Sequence, residues 1–226
     1  MVVASLQSVL QVKCAWVLLL RLLKRSLRLF VHICALLPLG VLVWNYFTGN
    51  LTVNPIQAAS QRTGDIALVI LLLSLACTPA ASTLGLKEVL KFRRTLGLYA
   101  FFYAGLHFLI FAGLDYTFNL ALIWAAIVEK RFILVGFAAG LILLALAVTS
   151  FRWWMKRLGK NWKKLHRLVY LAGVLVVLHY LWAVKADIRL PLLSGFILVL
   201  LLMLRIPLIK GRIVYFRQRL FASFRS

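Results

Sequence analysis

The sequence predicts an all-α fold, a polytopic membrane bundle of six transmembrane helices with both termini in the cytoplasm. Three observations carry that prediction. Of 226 residues, 64% are apolar or aromatic and only 14% are charged, against roughly 45–50% and about 25% in soluble domains. Six stretches are apolar over about 20 residues, the length needed to cross a bilayer. The chain also has 27 Lys and Arg against 5 Asp and Glu, a formal +22, and the cations collect on one side of those stretches. A mean hydropathy of +0.97 excludes a soluble globular domain, a disordered chain and a disulfide scaffold. The basic excess therefore reads as topology and attraction to anionic lipid, not as a nucleic-acid surface.

The stretches run over residues 29–47, 65–83, 95–114, 132–150, 166–184 and 190–209. The second holds Pro79 near its end. The sixth is interrupted by Arg205, which is expected to snorkel to the surface. Ahead of the first, Arg21, Lys24, Arg25 and Arg28 follow an i, i+3, i+4, i+7 pattern opposite Leu19, Leu22, Leu23 and Leu27. Residues 1–27 thus read as a basic amphipathic extension along the inner leaflet, 28–210 as the membrane domain and 211–226 as a basic cytoplasmic tail. Between the third and fourth stretches, residues 116–128 are apolar enough to lie in the interface without crossing. No repeat at a fixed period is visible.

Sorted by segment, 22 of the 27 cations fall on one side. The other side holds Arg62, Lys130, Arg131, Lys185 and Arg189, with the acids Asp65, Asp115, Glu129 and Asp187. The positive-inside rule puts the richer side, with both termini, in the cytoplasm. Cys14, Cys34 and Cys77 lie among apolar residues without metal spacing, and read as small buried hydrophobes.

Ionisable groups inside a membrane are costly and mark function. The five acids lie near the ends of the stretches, which argues against a proton-coupled transporter. The four histidines are more informative. His107 lies 13 residues past Arg94 and His179 lies 15 past Lys164. At 1.5 Å per residue, both are about 20 Å from the inner edge, on helices running in the same direction. Two imidazoles at matched depth can take both axial positions of one haem iron, held between the third and fifth helices. His166, at the inner edge of the fifth stretch, and His32, in the first, suggest a second, inner tier. His166 and His179 are 13 residues apart, which on an ideal helix turns their side chains about 140° apart. Either the helix is irregular there, or His166 belongs to the preceding loop.

Several segments resemble the haem-binding membrane subunits of bacterial methionine sulfoxide reductase systems, within the ferric-reductase-like transmembrane family. They include His32 to Pro38, Asn54-Pro55, Thr63-Gly64, Thr78-Pro79, Arg93 to Leu98, Tyr103 to His107, Glu129 to Arg131 and Thr149-Ser150. The most specific are Leu158 to Tyr170 and Leu178 to Lys185, with His166 and His179 at their separation. The resemblance spans roughly residues 28–210.

The resemblance implies an electron-transfer subunit holding haem b, one or two, with a flavin mononucleotide (FMN) associated. Its donor would be quinol or a cytoplasmic flavin reductase. Its acceptor would be a periplasmic molybdoenzyme of the MsrP type, which carries out methionine sulfoxide reduction. By position, His107, His166 and His179 match the family's three histidines, and His32 matches one found in some members. Relatives that reduce iron or oxygen hold four ligands, but Arg93 stands 14 residues before His107. Arg93 or Arg94 can pair with a haem propionate but cannot ligate iron. Phe132 replaces a proline usual in the family. The 17 residues after the sixth stretch are too few for a flavin or nicotinamide domain, so electrons are expected from a separate donor. The loop with Trp153, Trp154 and Trp162 would dock it or anchor at anionic headgroups. The competing readings are a transmembrane ferric or oxygen reductase with a separate flavoprotein, and a cofactor-free permease.

Overall fold

The computed structural model describes the backbone of residues 2–184 and 187–223, and the side chains of 25–184 and 187–219. Among the described residues every regular element is helical. The chain forms two compact units, residues 1–41 and 42–226. Helix α1 (Val2–Phe47) runs 46 residues without a break, so no break sets residues 1–27 apart from it. Its segment Arg25–Phe47 is long and apolar enough to cross a membrane. The side chains of Cys14, Arg21 and Lys24, and all of Lys185, lie outside the described residues.

The second unit is built around α2 (Pro55–Thr83). Half of its apolar window is buried (50%), against 17–22% for the unit's other candidate spans, so α2 is the central helix. Asn54 starts it by accepting a hydrogen bond from the Gln57 N–H at 3.1 Å, and Pro55 occupies the first turn, where its missing N–H costs nothing. The helix thus begins ten residues before the hydropathy-defined stretch at 65. Gln57, Gln61, Arg62 and Asp65 dilute the hydropathy of its first three turns, but the cap and proline set its true start. Asp65 is therefore well inside a helix rather than at a span end, which corrects the reading of the acids.

A short 3₁₀ turn (Lys87–Lys91) leads to α3 (Arg93–Ile110), which continues as a π-helical turn over Phe111–Asp115. Helix α4 (Leu120–Glu129), capped by Asn119, covers the apolar segment expected in the interface. Helix α5 (Arg131–Val148) follows, then the short α6 (Arg152–Leu158) and α7 (Lys160–Leu165), α8 (Leu168–Ala183), α9 (Arg189–Met203) and α10 (Pro207–Ser223). Gly159, at φ 49° and ψ −120°, makes the turn between α6 and α7 in a conformation that side chains disfavour. Two antiparallel pairs dominate the packing, α2 with α3 and α5 with α8. Leu68, Leu72 and Leu75 of α2, Val177 of α8 and Leu198 and Leu201 of α9 form the buried apolar core. The outward faces carry exposed Leu, Val, Phe and Trp, as a lipid-facing surface requires.

The sixth stretch is not one straight helix. Helices α9 and α10 meet at 79°, because Pro207 disfavours helical geometry at Ile206 and serves as the first residue of α10. Arg205 sits in that break and turns inward, contrary to the expected snorkelling. Its Nη2 donates to the Leu75 carbonyl at 2.6 Å, its Nη1 donates to the Tyr170 hydroxyl, and its guanidinium lies 4.8 Å over the Tyr170 ring. The reason is in α2. Pro79 has no N–H, so it deprives the carbonyl four residues earlier, Leu75, of its helical donor. Arg205 fills that vacancy from another helix. Arg217 of α10 likewise donates to the Thr83 carbonyl at 2.9 Å, at the end of α2.

Replacing Arg205 with Ala is expected to destabilise the bundle by about 1.5–3 kcal/mol, read as a lower thermal midpoint in detergent. In a Pro79→Ala background, where residue 79 regains its N–H, the same substitution costs measurably less. Equal costs in both backgrounds would remove this account of Arg205.

Candidate functional site: two seated histidines

His107 is in the last turns of α3, and His179 is in the second half of α8. Both are half-buried, and their ring centroids lie 6.1 Å apart with planes at 78°. Each ring is fixed in the same way. His107 Nδ1 is 2.8 Å from the Ser60 carbonyl on α2, with the Ser60 hydroxyl at 3.4 Å. His179 Nδ1 is 2.7 Å from the Phe132 carbonyl on α5. A carbonyl oxygen only accepts, so each Nδ1 must carry the proton and donate. In the neutral ring that assigns the proton to Nδ1 and the lone pair to Nε2, the arrangement in which imidazole binds a metal.

The spacing suits a shared metal. Metal–imidazole bonds of about 2 Å on either side of one ion, plus about 1.1 Å from each nitrogen to its ring centre, put the centroids about 6 Å apart. The observed centroids, 6.1 Å apart, meet that distance. Among the described residues there is no group of three or more His, Cys, Asp or Glu able to hold a bare metal ion. The arrangement suits a metal whose remaining ligands come with it, as in haem.

Two polar residues adjoin the pair. Asp65 follows Gly64, and its carboxylate accepts a hydrogen bond from the hydroxyl of Tyr180, the residue after His179. This bond ties α2 to α8 beside the rings and keeps the Asp65 carboxyl near His107. Hydropathy hid it by placing Asp65 at the end of a span.

The other expected site residues lie elsewhere. His166 falls in a turn between α7 and α8, so the helix is interrupted there, and the 140° objection to a stacked arrangement lapses. Its ring stacks on Trp162, with centroids 4.1 Å apart, and its Nε2 is 3.2 Å from the Thr149 hydroxyl. The Trp162 indole N–H donates to the Thr149 carbonyl at 2.9 Å, completing a small aromatic platform at the end of α5. Arg93 is half-buried and within electrostatic reach of His166 and Arg205, whereas Arg94 is exposed. Arg157 lies over both Trp153 and Trp154, at 5.0 and 6.0 Å from their ring centres. His32 belongs to α1 in the first unit.

The site residues that sequence reasoning missed are the two carbonyls and two glycines. Gly64 and Gly136 lie one helical turn beyond Ser60 and Phe132, directly against the imidazoles. Gly136 carried a signal, following the bulky run Phe132 to Val135, whereas Gly64 sits among the polar first turns of α2 and carried none.

The class these features define is a helical membrane bundle that brings two histidines together from α3 and α8. Residues 63–177 match the family described as "Ferric reductase like transmembrane component", a window that holds Gly64, His107, Gly136 and His166 and ends just before His179. The chain belongs to this family. Over 190 residues it is 48% identical to the "Protein-methionine-sulfoxide reductase heme-binding subunit MsrQ" of Rhodospirillum rubrum, covering 82% of this chain and 90% of that protein. Proteins of the same description from Xanthomonas euvesicatoria and Xanthomonas campestris are 44% and 43% identical over 178 residues, 76% of this chain and 82% of theirs. Within the wider family, the chain falls in the MsrQ group.

Proposed function

We propose that the chain holds haem b between His107 and His179 and is the membrane electron-transfer subunit of a protein-methionine-sulfoxide reductase. The observation that carries this is the pair of rings 6.1 Å apart, each held by its Nδ1 to a backbone carbonyl of 2.7–2.8 Å reach. When bound, the haem supplies a one-electron couple. The chain's own residues hold the ligands in one tautomer, and the apolar helices around them exclude water.

The distribution of Lys and Arg supports a topology with both termini in the cytoplasm and the histidine pair in the outer half of a bacterial inner membrane. Electrons enter at the basic face near Trp153, Trp154 and Trp162, from quinol or a flavoprotein. They leave at the opposite face to a periplasmic catalytic subunit of the MsrP type, where the sulfoxide is reduced. The names of the similar Rhodospirillum and Xanthomonas proteins support this reading. Ferric or oxygen reduction at the same haem is the competing outcome, and electron delivery to a purified MsrP-type partner in reconstituted membranes separates the two.

A further haem held from His166 is the second reading. It is favoured by the turn at His166, where the helix is irregular, and by the half-buried Arg93 within electrostatic reach of that ring, which could pair with a propionate.

Purified protein should show a dithionite-reducible low-spin haem b spectrum, lost in His107→Ala and in His179→Ala. Retention of an unchanged spectrum in both variants rejects the assignment. For the second reading, the expected haem-to-protein ratio is two, falling to one in His166→Ala. A ratio of one that His166→Ala leaves untouched rejects the inner haem alone.

A further inference from the structure

The two histidine seats are copies of one design. Ser60, Gly64 and His107 on one side recur 72 positions later as Phe132, Gly136 and His179. In each copy the imidazole reaches a carbonyl 47 residues earlier, on the helix against which its own helix packs. In each, a glycine stands four residues after that carbonyl. The absence of a sequence repeat is thus corrected at the level of structure: a half-site recurs although its surrounding residues do not.

Helix geometry explains the glycine. Residues i and i+4 lie on one face, and the Cα–Cβ bond tilts towards the helix N-terminus. A side chain at i+4 therefore leans over the carbonyl of residue i, where the imidazole must approach. A Cβ at Gly64 would lie 3.2 Å from His107 Nδ1 and 3.4 Å from its Cε1. A Cβ at Gly136 would lie 2.5 Å from His179 Nδ1, 2.8 Å from Cε1 and 3.0 Å from Cγ. The first contact asks the ring to yield by a few tenths of an ångström. The second evicts it.

We propose that Gly64 and Gly136 are positioning residues for the axial ligands, and that they are unequal: Gly136 is required for His179 to take its seat, whereas Gly64 tunes the angle of His107. This rests on the haem reading above. An alanine in a helix interior is otherwise stabilising relative to glycine, so any loss comes from the contact and not from helix propensity. Gly140, one turn further along α5 with nothing within 4 Å of its would-be Cβ, is the internal control.

The test compares Gly64→Ala, Gly136→Ala and Gly140→Ala in the full chain, purified in detergent. Haem content, the low-spin ferric signal and the midpoint potential are read for each. Gly136→Ala should lower haem retention about tenfold or more, the scale of second-shell losses at metal sites, or leave a high-spin spectrum. Gly64→Ala should keep its haem with a shifted potential and altered ferric signal, and Gly140→Ala should match the parent. Should Gly136→Ala fold poorly, adding His179→Ala removes the clashing ring and should restore the thermal midpoint to that of His179→Ala alone.

An unchanged spectrum and potential in Gly136→Ala, or greater damage from Gly64→Ala, overturns the proposal. So does a double variant as unstable as Gly136→Ala. A parent protein without haem defeats the haem reading itself, a result distinct from all of these.

Discussion

The site depends on one interaction, a hydrogen bond from an imidazole Nδ1 to a backbone carbonyl on the neighbouring helix. A main-chain carbonyl in a helix is already paired, but its second lone pair is available to a donor that can get close enough. Close approach is the difficulty, since helix axes normally stand 8–10 Å apart with side chains between them. At Gly64 and Gly136 there is no side chain to intervene. Small residues at tight contacts are the usual means by which membrane helices approach one another; here the space is filled by a ligand ring. The bond sets the tautomer, the tautomer frees Nε2, and the pairing of α2 with α3 and of α5 with α8 brings the two free nitrogens into one neighbourhood.

The rest of the second unit supports that arrangement. Helix α2 bears the Ser60 seat and is also the most buried helix, so its course must be fixed along its whole length. Asn54 fixes its start, and Arg205 satisfies the carbonyl that Pro79 leaves open. Arg217 caps its end. The break before Pro207 is what lets Arg205 reach inward, so an apparent flaw in the last apolar stretch is a structural contact. The Asp65–Tyr180 bond adds a cross-link next to the rings. At the other end, Trp162, Thr149 and His166 form a platform beside a strongly basic surface.

The helical class, five of the apolar spans and the closeness of His107 to His179 were legible from hydropathy and spacing, because apolar length and matched depth are linear properties of a chain. Less legible was anything set by contact between helices. The start of α2 was missed because its first turns are polar, although Asn54-Pro55 marked it. Arg205 was misread because a cation in an apolar stretch has two remedies, water or an orphaned carbonyl, and only the fold shows that Leu75 supplies the second. The seats at Ser60 and Phe132 are backbone groups, invisible to any reading of residue type. Phe132 shows this well: it replaced an expected proline with no effect on the chemistry, since a carbonyl is the same on either.

Near-infrared magnetic circular dichroism of the purified, oxidised protein tests the central claim most directly, because its charge-transfer band reports both axial ligands of a low-spin ferric haem. The account predicts the bis-imidazole band, accompanied by a strongly anisotropic electron paramagnetic resonance signal, as ring planes 78° apart require. A band belonging to one imidazole with another ligand, or a high-spin iron with a single axial partner, would contradict it.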